Sequence, residues 1–242
     1  MRRVIVAITV ICLVGAIVYA VAEYANTEHR WKYRITVEVE TPDGIKTGSS
    51  VWEVNLKPVR AGKLKGYKDF YRGEAVLVDL GERGLLFALK KDANSRAYPK
   101  NLFQKMFSYR PPPATKPLKT EEKLEYYDNL RNANAIVPKD WYPTFVYFRD
   151  LNDPKTIEAV YDRHNALSGN SKQVKVNKLS EVFGQGVEIN NIKIETTSDP
   201  VRFKLHKILL WLKDEETYIR ETPRISTTQP LQYLDLQEGR TP

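Results

Sequence analysis

The sequence predicts an α+β protein that is mainly antiparallel β, with hairpins and a few short helices, preceded by one amino-terminal transmembrane helix. Three observations support this prediction. Residues 4–22 form a long uncharged segment, residues 33–40 alternate strictly between apolar and polar side chains, and residues 41–44 read Thr-Pro-Asp-Gly. An alternating segment followed by such a turn predicts an antiparallel hairpin, whereas a doubly wound parallel sheet needs regular strand–helix alternation.

The apolar segment from Val4 to Ala22 contains nineteen residues, of which only Thr9 is polar, and it follows Arg2 and Arg3. A helix of that length spans roughly 28 Å, close to the hydrocarbon thickness of a bilayer. Basic residues flank a transmembrane helix on its cytoplasmic side. We therefore expect a single pass through the inner membrane, with the amino terminus in the cytoplasm and the domain in the periplasm.

The same segment also fits a cleaved secretory signal, because Ala20-Val21-Ala22 is a small-x-small triplet. Cleavage after Ala22 would release the domain into the periplasm. Cys12, the only cysteine, lies within this segment and follows Val10-Ile11, which is not a lipid-attachment sequence. The exported part has no thiol, and this excludes disulfides, a thiol nucleophile and a cysteine metal site there.

Composition divides the exported part into a linker at 23–32, a β-rich domain at 33–221 and an extended carboxyl-terminal tail at 222–242. Consecutive prolines near residues 110–117 predict a stiff, extended spacer inside the domain.

The net charge of the exported part is positive. Arg2 and Arg3 precede the apolar segment, which leaves 36 of the 38 basic residues against 30 acidic ones, and no more than two basic residues are adjacent. Such a thinly spread excess predicts a solvated basic surface. The alternative is contact with anionic lipid head groups or an acidic partner. Nucleic acid is not predicted as a partner, since the chain has no basic motif interleaved with aromatic residues.

Two hairpins are predicted. The first returns from the turn through residues 45–56, where Gly48-Ser49-Ser50 predicts a bulge or a close approach of another backbone. The second joins residues 74–80 to residues 85–89, and its strands are apolar on both faces. Such strands are typical of the centre of a sheet that is covered on both sides.

The remaining segments are predicted from their spacing. Residues 90–119 are polar and broken, Thr120 begins a helix that ends near residue 131, and residues 144–148 form a strand. Residues 187–194 change parity at Asn190-Asn191, which predicts one strand with a bulge. Residues 203–212 predict a buried helix or a packed segment.

Several phrases of the sequence carry a family resemblance: TVEVETPDGIKTGSSV, GEAVLVDLG, PTFVYFRDLNDPKTIEAV, FGQGVEINNIKIE and ILLWL. Together they resemble a family of uncharacterised bacterial envelope proteins that are anchored in the membrane at the amino terminus. The resemblance covers most of residues 33–212, apart from extra sequence at about 161–175. It implies a shared fold and an envelope location, and it implies no activity.

Motifs for known chemistry are few. His29, His164 and His206 lack the spacing of a helical metal pair, and the chain has neither a Gly-x-Ser-x-Gly elbow nor a phosphate-binding glycine loop. Ser49 and Ser50 are weak candidates for a nucleophile. Asp79 is expected to bond to the turn that follows its strand. No catalytic residue and no cofactor is predicted.

The most suggestive polar group is Asp150, Asn152 and Asp153, which directly follow a strand. Their oxygens could hold calcium, although the glycine and the closing glutamate of an EF-hand are missing. The favoured interpretation is a turn and a helix start, with Asp153 as the cap and Pro154 in the first helical position.

These observations favour a membrane-anchored periplasmic binding or scaffold module that belongs to an envelope assembly. Its expected contacts are the inner membrane, through residues 4–22, and a protein partner in the envelope. The alternative is an exported hydrolase that uses carboxylates or Ser49 and Ser50.

Overall fold

A computed structural model describes residues 12–15, 27–61, 64–91, 97–109, 120–165, 174–213 and 237–238. The predicted membrane segment, apart from residues 12–15, and the proline-rich spacer lie outside the described residues. Within the described part of the chain, no helix combines the length and the apolar composition needed to cross a bilayer.

Eleven strands, three α-helices and several 3₁₀ turns form the described structure. The strands are β1 (His29–Thr41), β2 (Gly44–Ala61), β3 (Leu64–Glu74), β4 (Val76–Asp79), β5 (Leu85–Ala88), β6 (Asn134–Ile136), β7 (Phe145–Phe148), β8 (Ile157–Asn165), β9 (Val174–Asn177), β10 (Glu188–Thr196) and β11 (Gln237–Glu238). The helices are α1 (Tyr98–Met106), α2 (Thr120–Asn129) and α3 (Leu179–Phe183).

The strands form two antiparallel sheets. The first has the order β11-β3-β2-β1-β10-β6, and the second has the order β4-β5-β7-β8-β9. Every strand pair is antiparallel. The predicted α+β class, mainly antiparallel β with a few short helices, is therefore confirmed.

The alternation of β1 places one row of side chains in the main core. Tyr33, Ile35, Val37 and Val39 are fully buried on this face. Aromatic packing joins the sheet to the helices, because the ring of Phe103 in α1 lies 5.3 Å from that of Tyr33. The strand begins at His29 rather than at residue 33, since the buried Trp31 continues the same alternation.

A close approach of two backbones brings the two sheets together. A Cβ atom on Gly48 of β2 would collide with the carbonyl oxygen of Leu77 in β4. The predicted close approach is thus present. The alternative, a bulge, is wrong, because the register between β1 and β2 is continuous from the His29–Leu56 pair to the Thr41–Gly44 pair.

The second sheet is buried on both faces, as its apolar strands predict. Val76, Val78 and Leu86 face the main core, whereas Phe87 and Leu89 belong to a second cluster on the opposite side. The chain covers this opposite side with three leucines: Leu205 and Leu212 from two 3₁₀ turns, and Leu209 from the residues between these turns. Residues 203–212 therefore form the packed segment that their composition predicts.

The bulge predicted near Asn190 is confirmed. Asn191 pairs with Glu38 and Ile189 pairs with Val39, so Asn190 is the extra residue. Helix α2 ends at Asn129, two residues before its predicted end.

Several elements were not predicted, among them α1 and β3. Helix α1 lies within the stretch expected to be broken, and β3 follows β2 in the first sheet. Of the predicted extended tail, only Gln237–Glu238 is described, and it pairs with the end of β3.

Candidate binding site

The predicted group at Asp150, Asn152 and Asp153 forms a self-contained turn between β7 and β8. Asp150 Oδ1 accepts a hydrogen bond from the backbone N–H of Asn152 at 2.9 Å, and Asp153 Oδ1 accepts one from Lys155 N–H at 2.9 Å. Asp153 is therefore the cap of the following 3₁₀ turn, with Pro154 next to it. Among the residues that the structure describes, no group of three His, Cys, Asp or Glu side chains is placed to hold a metal ion.

The other predicted candidates are separated by the fold. Asp79 Oδ1 accepts a hydrogen bond from Gly81 N–H at 2.8 Å, as expected for a residue at a strand end. Ser49 is exposed, whereas Ser50 is buried on the core face opposite Ile35. Adjacent strand residues point to opposite faces, so the hydroxyl groups of the two serines do not converge on one point.

Ser49 borders a cavity of about 280 Å³, lined by Arg34, Ser49, Ser50, Val51, Glu74, Asp199, Pro200, Arg202 and Lys204. Both carboxylates in this lining already have partners. Glu74 Oε2 accepts hydrogen bonds from the backbone N–H groups of Lys204 and Leu205, at 2.7 and 3.0 Å, and Asp199 forms an ion pair with Arg34. Ser49 therefore has no histidine beside it in this lining, and both carboxylates there are already engaged.

Sequence reasoning missed the pair of His29 and Asp128. His29 Nδ1 lies 2.6 Å from Asp128 Oδ2, and the other carboxylate oxygen accepts the backbone N–H of Arg30 at 2.7 Å. Burial raises the pKa of Asp128, while the hydrogen bond and the charge of His29 oppose that rise. The residues are 99 positions apart, and neither stands in a motif that could have revealed the pair.

This pair has the acid–imidazole contact of a catalytic triad. Its burial, however, indicates a structural contact, which we call the His29–Asp128 tie. His29 is 2% exposed, so a substrate cannot reach its ring. Its second nitrogen faces the hydroxyl of Tyr67 at 3.4 Å. The pair therefore fastens the start of β1 to the end of α2. The side chain of His164 lies outside the described residues.

A larger cavity of about 440 Å³ opens beside this tie, between β1, the loop after α2 and the end of β10. We call it the Arg30 cavity. It is lined by Arg30, Trp31, Lys32, Asp128, Leu130, Arg131, Asn132, Thr196, Thr197 and Ser198.

The Arg30 cavity is cationic. Arg30, Lys32 and Arg131 contribute three positive charges, and Asp128 is the single carboxylate of the lining. Both oxygens of that carboxylate are engaged, by His29 and by the backbone of Arg30. The Arg30 side chain is 56% exposed although its Nε lies 4.0 Å from Glu53 Oε1, so its guanidinium remains within reach of solvent and of a partner. The cavity can therefore bind an anionic group through charge and hydrogen bonds.

Comparisons with models of protein families, with curated proteins and with solved structures found no match to this chain.

Proposed function

We propose that this chain is a membrane-anchored envelope module that binds the acidic segment of a protein partner in the Arg30 cavity. The observation that carries the proposal is the charge of that cavity, whose lining contains three cations and one carboxylate that is already hydrogen-bonded. An acidic segment would supply the missing negative charge, and arginine suits this contact because its planar guanidinium pairs with carboxylates.

The position of the cavity supports the same function. Arg30 and Lys32 lie at the start of β1, only a few residues after the apolar segment 4–22. A single-pass anchor with the domain in the periplasm would hold this end of the sheet near the inner membrane. A partner in the same membrane would then meet the cavity at high effective concentration. The family resemblance, which implies an anchored envelope protein, is consistent with this proposal.

We favour binding over hydrolysis because the carboxylates of the candidate sites are already engaged by other groups of the protein. The cavity beside Ser49 contains Glu74 and Asp199, each held by a partner, and the one acid–imidazole pair of the site is buried. A hydrolase requires a nucleophile, a base and a substrate position that converge on one point.

Photo-crosslinking in intact cells tests the proposal. A photoreactive residue replaces Asn132 or Ser198, both exposed in the cavity lining, and in a control chain it replaces Gln185, which is exposed elsewhere. We expect one adduct of the same mass from both cavity positions and none from Gln185. The double substitution R30E and R131E should abolish it, because charge reversal repels an acidic segment. Adducts that are equal at all three positions, or that survive the charge reversal, would contradict the proposal.

A further inference from the structure

One hairpin of the domain is locally basic. Residues 57–68 include the end of β2 and the start of β3. They contain five Lys or Arg residues and no Asp or Glu. The whole exported part has an excess of six basic residues. Pairing of β2 with β3 brings together charges that are separated along the sequence, because Lys57 lies opposite Lys68.

The hairpin presents charge and apolar area on the same face. Lys57 pairs directly with Lys68, and alternate residues of the two strands, Val59 and Phe70, share their side of the sheet. The Nζ atoms of Lys57 and Lys68 lie 5.6 and 5.3 Å from the centre of the Phe70 ring. Val59 is 44% exposed and Phe70 is 38% exposed. We call these four residues the basic face.

The paired positive charges of the basic face are unfavourable for the stability of the domain itself. Like charges directly opposite each other on antiparallel strands repel, and Lys57 and Lys68 form such a pair. Glu28 offsets part of the repulsion, since its Oε1 lies 3.4 Å from Lys57 Nζ. An anionic surface in contact with the face would offset the remainder, and exposed apolar side chains between the charges suit the head-group region of a bilayer.

The topology directs the hairpin toward the expected position of the membrane. His29, the first residue of β1, pairs with Leu56 of β2. Residues 57–61 of β2 therefore extend beyond the start of β1, on the side from which the chain enters the domain. Five strand residues extend about 17 Å. Six residues separate Ala22 from His29, and the seven steps along the chain span at most roughly 25 Å. The length by which the hairpin extends is therefore comparable to the distance that the segment between Ala22 and His29 can span.

We propose that the basic face of Lys57, Val59, Lys68 and Phe70 rests on the anionic lipid head groups of the membrane that holds the chain. The inference depends on the anchor in the proposed function. The contact would fix the orientation of the domain and thereby the direction in which the Arg30 cavity opens. Salt should weaken the contact, because screening shortens the range of the charges from about 10 Å at 0.1 M to about 3 Å at 1 M.

Fluorescence of the full chain in lipid nanodiscs tests this proposal. Cys12 is replaced by Ala, and an environment-sensitive fluorophore is attached through V59C or, as the control, through I45C. Ile45 is 59% exposed and follows the β1–β2 turn, at the opposite end of β2. Neutral phosphatidylcholine discs are compared with discs that also contain phosphatidylglycerol.

We expect the V59C emission to shift to the blue only in the anionic discs and to return in 1 M salt, while I45C emission stays constant. The double substitution K57Q and K68Q should abolish the shift, and K139Q with K178Q, at exposed lysines elsewhere, should preserve it. Equal V59C emission in both lipids, or an equal shift at I45C, would overturn the proposed contact while leaving the anchor intact. Failure of the chain to enter the discs would overturn the anchor and, with it, this contact.

Discussion

His29 Nδ1 lies 2.6 Å from Asp128 Oδ2, and this contact joins the first residue of β1 to the last turn of α2. The same carboxylate also accepts the N–H of Arg30. One side chain of α2 thus positions the point at which the chain enters the first sheet. Arg30 and Asp128 also line the Arg30 cavity, so this tie supports the geometry of the proposed binding site.

The ionisation of Asp128 predicts a pH dependence of stability. Its pKa in the folded chain is raised by burial, so the native state holds this proton more tightly than the unfolded state, whose Asp pKa is about 3.9. The contribution of Asp128 to the free energy of unfolding should therefore fall as the pH rises from 3.5 through its folded pKa.

D128N isolates this contribution, because it removes the titrating group. Urea unfolding of both chains in detergent, at several pH values from 3.5 to 5.5, gives the wild-type free energy minus that of D128N. We expect this difference to decrease with rising pH. A difference that increases over the same range would mean that the pairing with His29 outweighs the burial of the carboxylate.

The packed segment at residues 203–212 contains a matched pair of neighbouring leucines. Leu209 is fully buried against the second sheet, whereas Leu210 is 54% exposed. L209A should lower the free energy of unfolding by about 2–5 kcal/mol, since it leaves a cavity in a packed cluster. L210A should change it by less than about 0.5 kcal/mol. Chemical denaturation measures both, and equal effects would show that this segment does not cover the sheet.

Gly48 is predicted to be sensitive to a single added carbon. A Cβ atom there would lie 2.7 Å from the carbonyl carbon of Leu77 and 3.0 Å from a methyl group of Val78. G48A should therefore destabilise the fold by about 1–3 kcal/mol, as overpacking does. G66A is the control, because no atom lies within 4 Å of its added Cβ. If thermal unfolding finds both variants equally stable, the two sheets do not meet at this point.

Glu74 is predicted to hold the segment that leads into the second cluster. Its carboxylate accepts the N–H groups of Lys204 and Leu205. E74A removes the oxygen that accepts both hydrogen bonds, so the amide of Leu205 should exchange its hydrogen with solvent much faster than in the wild type. The amide of Thr156, bonded to Asp153 in a separate turn, should be unaffected. Unchanged exchange at Leu205 would mean that the leucine cluster alone holds this segment.

Local periodicity accounts for the parts of the fold that the sequence predicts. Strict alternation in β1 and a change of parity at Asn190 are properties of neighbouring residues, and the structure contains both the strand and the bulge. Helix α1 was missed although Tyr98, Leu102 and Phe103 are buried at helical spacing. Its polar flanks and the nearby prolines masked that signal.

The candidate site could not be predicted in the same way. The His29–Asp128 tie and the Arg30 cavity bring together residues from β1, α2 and β10, which are distant in sequence. Such contacts depend on strand order, and local patterns do not specify it. The polar residues that did stand out, Asp150 and Asp153, bond within their own turn because side chains of this type satisfy nearby backbone N–H groups.

Cysteine labelling in spheroplasts tests the central claim that the chain is anchored with its domain outside the inner membrane. I45C is placed in a chain with Cys12 replaced by Ala, since Ile45 is 59% exposed. A second chain carries its only cysteine inserted between Met1 and Arg2. We predict that a membrane-impermeant maleimide labels I45C in intact spheroplasts and labels the amino-terminal cysteine only after detergent is added. Labelling of I45C only after detergent would place the domain in the cytoplasm and contradict the account.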